Sequence, residues 1–220
     1  MFQKLITIDQ NLLVGINNWH SAFFDDFFYI FSGQKIWLLA ALAIIYVIIR
    51  TQKKDFWVIF LGLILVILIA DQISSGLIKP LVERLRPTRE PALEGMLKIV
   101  HNYRAGGYSF VSSHAANSFA FATFTALLFQ NRLYKWIIML WAVLIIYSRM
   151  YLGVHYPLDV LCGSIIGVGA GFSVYFLLKK LKPACCERKI TKKQAIFIVS
   201  ILGLTLLIMS IWHSKLVVLG

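Results

Sequence analysis

The sequence is poor in charged residues, and above all in acidic ones. Among its 220 residues, 15% are charged and only 10 are Asp or Glu, whereas 59% are hydrophobic and the mean hydropathy is +0.76. A soluble globular domain carries about 25% charged residues, so this composition excludes that class. The chain is predicted to be an all-α, polytopic membrane protein, built as a bundle of membrane-spanning helices.

Cysteine is scarce as well, since the chain contains only Cys162, Cys185 and Cys186. Three cysteines give no disulfide framework. Cys162 lies in an apolar run and is interpreted as a small buried hydrophobic residue, and the adjacent pair in a lysine-rich linker is assigned no role. The N-terminus also lacks the apolar core and small-residue cleavage pattern of a signal peptide, so we expect no cleaved leader.

Six apolar runs approach the length of about 20 residues that a helix needs to cross a bilayer. Residues 1–33 instead mix apolar and polar positions, which predicts one or two short amphipathic helices at the membrane interface or, equally, a packed cap on the bundle. We expect a single membrane domain, 1–220, with a motif-bearing core at 56–179 and the last run as an appendage beyond the site. The runs lie at about 34–50, 56–78, 114–130, 133–151, 157–179 and 195–216.

The net charge of +12 does not indicate a nucleic-acid partner, because the basic residues are concentrated in gaps between apolar runs. The positive-inside rule places the loops after the first, third and fifth runs in the cytoplasm. The loops at 79–113 and 149–157 then face the periplasm of a bacterial inner membrane, as do both termini. The basic residues of the three cytoplasmic loops are Arg50, Lys53, Lys54, Arg132, Lys135, Lys179, Lys180, Lys182, Arg188, Lys189, Lys192 and Lys193.

An arginine, a histidine and an aspartate end the fourth apolar run, in the segment Ser148–Asp159. Ionisable groups at membrane depth are costly and usually mark a functional site. Pro157 suits the first position of a helix, and Asp159 there can accept a hydrogen bond from one imidazole nitrogen of His155, leaving the other free as base or nucleophile. Arg149 offers a planar, permanently charged fork for an oxyanion. The alternative is a helix end rich in interfacial tyrosine and histidine.

Two more clusters are predicted on the same side of the membrane. Lys79 and Arg86 are two helical turns apart, so a helical segment would place both on one face; alternatively, they flank a span and bind headgroups. Ser112 and Ser113 precede the third apolar run, where serines cap helices and free backbone N–H groups form a phosphate site. His114 follows in the first turn, although a lone cap with an interfacial histidine would be unremarkable.

Taken together, these residues resemble the type 2 phosphatidic acid phosphatase family, whose pattern is K-x6-RP, then PSGH, then SR-x5-H-x3-D. The first and third parts match in full. The middle part matches at Ser112 and His114, while Val111 and Ser113 replace the proline and the glycine. The resemblance spans about residues 56–179. It implies an integral-membrane lipid phosphatase, with a membrane lipid phosphate as substrate and no metal or other cofactor.

The resemblance also implies a phosphohistidine route. His155 attacks phosphorus while Asp159 fixes its tautomer, and His114 protonates the leaving oxygen and then activates water. The candidate substrates are undecaprenyl diphosphate, lipid A phosphates and phosphatidylglycerol phosphate. The phosphate oxygens are held by Lys79, Arg86, Ser112, Ser113 and Arg149.

Two residues are candidates for support of this site. Asp71 stands at helical spacing from Lys79 and either orients it or satisfies a buried network, and Arg104 lies in the loop before the second cluster, where a solvated loop is the alternative. Two other functions remain open. Haloperoxidase chemistry is found on the same motifs in soluble proteins, which six apolar runs oppose. A transporter or scaffold that binds anionic lipid without turnover is opposed by the paired His155 and Asp159.

Overall fold

Ten α-helices, joined in places by short 3-10 turns, form the computed structural model, which describes residues 2–219. Within these residues the protein is 81% helical and has no β-strand, which confirms the predicted all-α class. The helices are α1 Phe2–Asn17, α2 Ala22–Phe31, α3 Leu38–Gln52, α4 Phe56–Asp71, α5 Lys79–Val82, α6 Ser113–Phe129, α7 Arg132–Tyr151, α8 Pro157–Leu181, α9 Pro183–Glu187 and α10 Lys192–Leu219.

The six predicted apolar runs correspond to α3, α4, α6, α7, α8 and α10. By length and composition, four segments of the described chain are able to cross a bilayer: 35–93, 132–151, 157–181 and 192–217. The first of these contains both α3 and α4. Helix α6 has 17 residues and packs among α4, α7 and α8, so it is enclosed by the other helices. The predicted multi-pass helical bundle is therefore confirmed.

Local sequence sets the starts of the helices that carry the motifs. Ser112 Oγ accepts a hydrogen bond from the Ala115 N–H at 3.3 Å, and Asn131 Oδ1 accepts one from the Tyr134 N–H at 3.2 Å. Such side chains satisfy backbone donors that have no partner within the helix. Pro157 occupies the first position of α8, where its missing N–H is not needed. The serine cap and the proline start thus lie where the sequence predicts them.

A seam of glycines holds α6 against α8. An ideal Cβ at Gly163 would lie 2.4 Å from the Ser112 carbonyl oxygen, and one at Gly167 would lie 2.2 Å from the Ala116 carbonyl oxygen. Only a residue without a side chain fits at this backbone separation. The seam ties the start of α6, which carries the second motif, to the start of α8, which carries the third.

The first motif does not lie on one helical face, so that expectation was wrong. Helix α4 continues through a π-helical segment, Gln72–Ile78, into the single turn of α5. Glu83 then adopts a left-handed conformation with φ 50°, which ends the helix, and Arg86 lies in extended backbone. The loop conformation, and not helical periodicity, brings Lys79 and Arg86 to the same end of the bundle.

The N-terminal segment forms two helices, as predicted, and α1 packs as a cap at the motif-bearing end of the bundle. Asn17, at the end of α1, is fully buried and donates hydrogen bonds to the carbonyl oxygens of Tyr151 at 2.8 Å and Lys98 at 3.2 Å. In α2, Asp25 binds Lys98 Nζ at 2.6 Å and the Tyr151 hydroxyl at 2.6 Å. Both helices thereby hold the loop that precedes the second motif.

The basic loops meet at the opposite end of the bundle. Asp55, between α3 and α4, forms ion pairs with Lys182 at 2.8 Å and Arg188 at 2.9 Å. The Ile190 N–H donates to the Phe129 carbonyl oxygen at the end of α6. These contacts place the three loops that the sequence assigns to the cytoplasm on one side of the molecule, away from the motifs.

Helix α10 is more than the appendage that the sequence predicts. It packs against α2, α3 and α7, and its Met209 is buried with Phe31 and Ile145. At its far end, His213 Nδ1 lies 2.7 Å from Asp26 Oδ2 of α2. Because the connection between α9 and α10 reverses the chain, α10 returns along the bundle to the motif-bearing end.

Candidate active site

His155 and Asp159 lie side by side at the start of α8. His155 Nδ1 is 3.3 Å from Asp159 Oδ2, and both side chains are almost fully buried. The same oxygen accepts the Tyr156 backbone N–H at 2.9 Å, because Asp159 is the third residue of α8 and reaches back to the residue before Pro157. The helix start therefore fixes the carboxylate, and the carboxylate fixes the ring.

Two contacts of Asp159 are absent from the sequence prediction. The Ser109 hydroxyl donates to Oδ2, and Arg84 Nη1 donates to Oδ1 at 2.9 Å. Both carboxylate oxygens are thus occupied by donors, which favours the ionised form of a carboxylate. Arg84 is an unspecified position between Lys79 and Arg86 in the first motif, so the motif gave no signal for it.

The second ring nitrogen of His155, Nε2, lies 3.1 Å from Arg86 Nη1. An arginine can only donate, so Nε2 accepts and the proton of the neutral ring resides on Nδ1, facing Asp159. Burial lowers the pKa of His155 to about 4, although the Asp159 carboxylate acts in the opposite direction. At neutral pH the ring is uncharged and presents a lone pair on Nε2, as a nucleophile requires.

Lys79 meets the second motif directly. Its Nζ donates to Ser113 Oγ at 3.1 Å, so the serine that replaces the family glycine supplies a partner for the lysine. The Ser112 N–H donates to the Asp159 carbonyl oxygen at 3.0 Å. The start of α6 is therefore fixed beside the His155–Asp159 pair, with His114 in its first turn.

Arg149 reaches the same region from the end of α7. It is 2% exposed, and its guanidinium donates to Ser32 Oγ at 2.7 Å and to the Tyr103 hydroxyl at 3.2 Å. Its Nε is buried and has no hydrogen-bond partner within the described residues. Buried donors are seldom left unpaired in a native protein, so this guanidinium retains capacity to bind an acceptor.

The three motif cations have only neutral hydrogen-bond partners. Lys79, Arg86 and Arg149 bond to hydroxyls, carbonyl oxygens and an imidazole, and within the part of the chain that the structure describes none forms an ion pair with a carboxylate. A buried cation without a counter-ion is costly. In contrast, carboxylates neutralise Arg84, Lys98, Lys182 and Arg188.

His114 lies where two cavities meet. The first, of about 360 Å³, extends into the bundle. The second, of about 610 Å³, extends towards Tyr29 and Tyr103 and shares His114 with the first. A group that reaches His114 therefore has space on both sides, one of them largely apolar. The apolar wall of the first cavity is formed by Trp37, Ala40, Ala41, Ile44, Ile67, Phe121, Ile138, Trp141, Ile145 and Leu202.

The two candidates for support lie in different surroundings. Asp71 faces the first cavity and accepts hydrogen bonds from Ser75 Oγ at 3.3 Å and Asn117 Nδ2 at 3.4 Å. Within the described chain it forms no ion pair with Lys79, whose Nζ donates to Ser113 Oγ instead. Arg104 is exposed and donates to the Thr88 carbonyl oxygen at 2.8 Å, so it lies outside the cluster.

The model of the PAP2 superfamily matches residues 57–183, which hold all three motifs. The chain belongs to the PAP2 superfamily. It is 40% identical over 186 residues to a lipid A 4'-phosphatase of Bacteroides thetaiotaomicron, covering 82% of this chain and 81% of that protein. It is 33% identical over 79 residues to the undecaprenyl-diphosphatase BcrC of Bacillus subtilis, covering 36% of this chain and 40% of that protein.

A solved structure extends the comparison to the fold. The crystal structure of LpxE from Aquifex aeolicus superimposes with a TM-score of 0.60 at 31% identity, covering 74% of this chain and 92% of that one. The predicted family and the predicted phosphatase reaction class are confirmed by these relationships. The chain is a multi-pass membrane phosphatase of the PAP2 superfamily.

Proposed function

We propose that this protein hydrolyses a phosphate monoester of lipid A at the periplasmic face of the inner membrane, through a phosphohistidine on His155. One observation carries this proposal: three cations bonded only to neutral groups converge near a histidine held in a single tautomer. A protein that only bound an anion would need the cations and no nucleophile. A fixed imidazole with a free lone pair is needed for nucleophilic catalysis.

In the first step, the Nε2 lone pair of His155 attacks phosphorus. A P–N bond forms as the bond from phosphorus to the lipid oxygen breaks, and His114 gives its proton to that oxygen. Asp159 stabilises the positive charge that develops on the ring. Arg86 moves its donor from Nε2 to a phosphate oxygen, joined by Lys79 and Arg149, and this charge stabilisation is the main catalytic term in phosphoryl transfer.

In the second step, His114 acts as a base. It takes a proton from water as the water oxygen attacks phosphorus, and the P–N bond breaks to release inorganic phosphate and neutral His155. The backbone N–H groups at the start of α6, with Ser112 and Ser113, hold the phosphate oxygens in both steps, since a helix N-terminus favours anions.

The cavity beside His114 supports the proposal that the substrate is a lipid. Its apolar wall, formed by residues of α3, α4, α6, α7 and α10, suits a hydrocarbon chain, while its polar end reaches Ser113 and His114 of the second motif. Lipid A is favoured because the similarity to the lipid A 4'-phosphatase covers about four-fifths of both chains. The periplasmic side is favoured because the basic loops lie together at the opposite end.

A second candidate is the diphosphate of undecaprenol. It is favoured by the similarity to an undecaprenyl-diphosphatase, which covers only about a third of this chain. The same motif residues would act on its terminal phosphate.

The test measures phosphate release by the purified protein in detergent, with EDTA present. Lipid A, undecaprenyl diphosphate and phosphatidylglycerol phosphate are compared, together with His155→Ala and the control His213→Ala. His213 contacts Asp26, away from the cluster, so its variant should keep full activity. We expect release from lipid A, abolished only in His155→Ala. Preferential release from another lipid would reassign the substrate, and equal rates for both variants would exclude the nucleophile.

The intermediate is tested separately with lipid A labelled in its phosphate. Quenching in detergent at alkaline pH should trap a base-stable label on the wild-type protein that acid then releases, and His155→Ala should carry none. His114→Ala should retain label longer, because it loses the base for the second step. Label that survives in His155→Ala would contradict the phosphohistidine route.

A further inference from the structure

A buried carboxylate of the N-terminal helix lies next to the catalytic pair. Asp9 of α1 is 2% exposed and outside the segment 57–183 that the family model matches. Its Oδ1 accepts the Leu158 backbone N–H at 2.8 Å, in the first turn of α8, and its Oδ2 binds Arg84 Nη2 at 2.7 Å. Asp9 thus contacts both the helix that carries Asp159 and the arginine bound to Asp159.

Arg84 bridges two carboxylates with the two ends of its guanidinium. Nη2 faces Asp9, while Nη1 donates to Asp159 Oδ1 at 2.9 Å. The guanidinium carbon also lies 3.6 Å from the centre of the Tyr156 ring, which fixes the plane of the group. The rigid fork of an arginine suits this role, because a lysine ammonium is a point charge on a flexible chain.

Asp159 holds the N–H of His155 in place because its own two oxygens are fixed. With Arg84 on Oδ1 and Ser109, the Tyr156 N–H and His155 on Oδ2, both oxygens have fixed directions. The positive charge of Arg84 keeps Asp159 ionised, so it orients the His155 N–H without taking the proton. Since Arg84 is 21% exposed on its side chain, it needs a second anchor to hold this position.

We propose that Asp9 and Arg84 are positioning residues that act through Asp159 on His155, so that α1 is part of the catalytic apparatus. This inference rests on the proposed role of His155 as nucleophile. Outer partners that orient a metal-bound histidine typically change activity by about 10- to 100-fold when removed, and we expect the same range for a histidine nucleophile. The loss falls on kcat, because substrate does not contact Asp9 or Arg84 directly, and KM stays close to that of the wild type.

The experiment measures kcat and KM for lipid A with Asp9→Asn, Arg84→Gln and the double variant. Each single variant should lower kcat by about 10- to 100-fold with KM within about threefold. The double variant should be no slower than the slower single variant, because both changes break the same chain of contacts from Asp9 through Arg84 to Asp159. Arg84→Lys keeps the charge but cannot bridge two carboxylates, so its kcat should fall between wild type and Arg84→Gln. It also serves if Arg84→Gln fails to fold.

Asp25→Asn is the matched control. Asp25 is a buried aspartate of the neighbouring helix that pairs with Lys98 and Tyr151 and lies outside the catalytic cluster. Its variant should lose thermal stability and keep kcat. The proposal is overturned if Asp9→Asn keeps kcat within twofold of the wild type, or if its loss of kcat equals that of Asp25→Asn. It is also overturned if the losses of kcat in the two single variants multiply in the double variant. If His155→Ala remains active, the proposed function fails instead.

Discussion

Replacement of Gly163 by alanine should disable the enzyme by moving two helices apart. The new Cβ would lie 2.4 Å from the Ser112 carbonyl oxygen and 3.0 Å from Ala115 Cβ. An ordinary van der Waals contact begins at 3.4 Å, so α6 and α8 must separate by about 1 Å, because neither contact is the end of a flexible side chain. This shift stretches the bond between the Ser112 N–H and the Asp159 carbonyl oxygen, now 3.0 Å.

The expected cost follows from the position of that bond. It fixes the start of α6, the proposed phosphate site, relative to His155, and a misplacement of about 1 Å in a catalytic site can cost about 100-fold in rate. We therefore expect kcat/KM of Gly163→Ala to fall by about 100-fold. Alanine is intrinsically the better helix former by about 1 kcal/mol, so the loss cannot be attributed to helix propensity.

Gly169→Ala is the control on the same helix. Nothing lies within 4 Å of a Cβ built at Gly169, so this variant gains the same propensity without a clash and should keep full activity. Phosphate release and thermal unfolding in detergent are measured for both variants. The reasoning is refuted if Gly163→Ala is folded and its kcat/KM is within threefold of that of Gly169→Ala.

Three further predictions test other parts of the structure. Arg149→Lys should lower kcat/KM by about 10- to 100-fold in steady-state assays, because an ammonium keeps the charge but loses the planar fork. Thermal stability should fall as pH drops from about 6.5 towards 4: with the pKa of His155 at about 4, the unfolded chain binds more protons in that window. A pH series of unfolding temperatures checks this, and His155→Gln should make the dependence on pH shallower. Asp55→Asn should lower the unfolding temperature without changing kcat, since it releases Lys182 and Arg188 at the end away from the motifs.

Most of the fold was predictable because hydropathy and helix caps are local signals. The runs of apolar residues locate α3, α4, α6, α7, α8 and α10 to within a few residues, and Ser112 and Pro157 mark two helix starts. The path after Lys79 was not predictable in this way. Pro80 signals a break near this point, but neither the π-helical segment nor the left-handed conformation of Glu83 has a local sequence signal of its own.

In the candidate site, too, some residues have a local sequence signal and others depend on packing. His155, Asp159 and Arg149 were predicted as site residues because ionisable residues are rare in an apolar run, and the structure places His155 beside Asp159. Asp9 was not predicted, because an aspartate in an amphipathic helix is common and 75 residues separate it from Arg84. Only the packing of α1 against α8 gives that carboxylate a role.

Arg84 and Arg86 show why charge alone does not define this site. The two arginines are two residues apart in one loop, yet Arg84 is neutralised by Asp9 and Asp159, while Arg86 bonds to the carbonyl oxygens of Gly106 and Val154 and to a neutral imidazole. A cation already paired with carboxylates has little to gain from a phosphate, whereas one bonded only to neutral groups gains the full charge interaction on exchange. In the proposed mechanism, the arginine paired with carboxylates therefore orients the nucleophile, and the arginine bonded to neutral groups receives the phosphate.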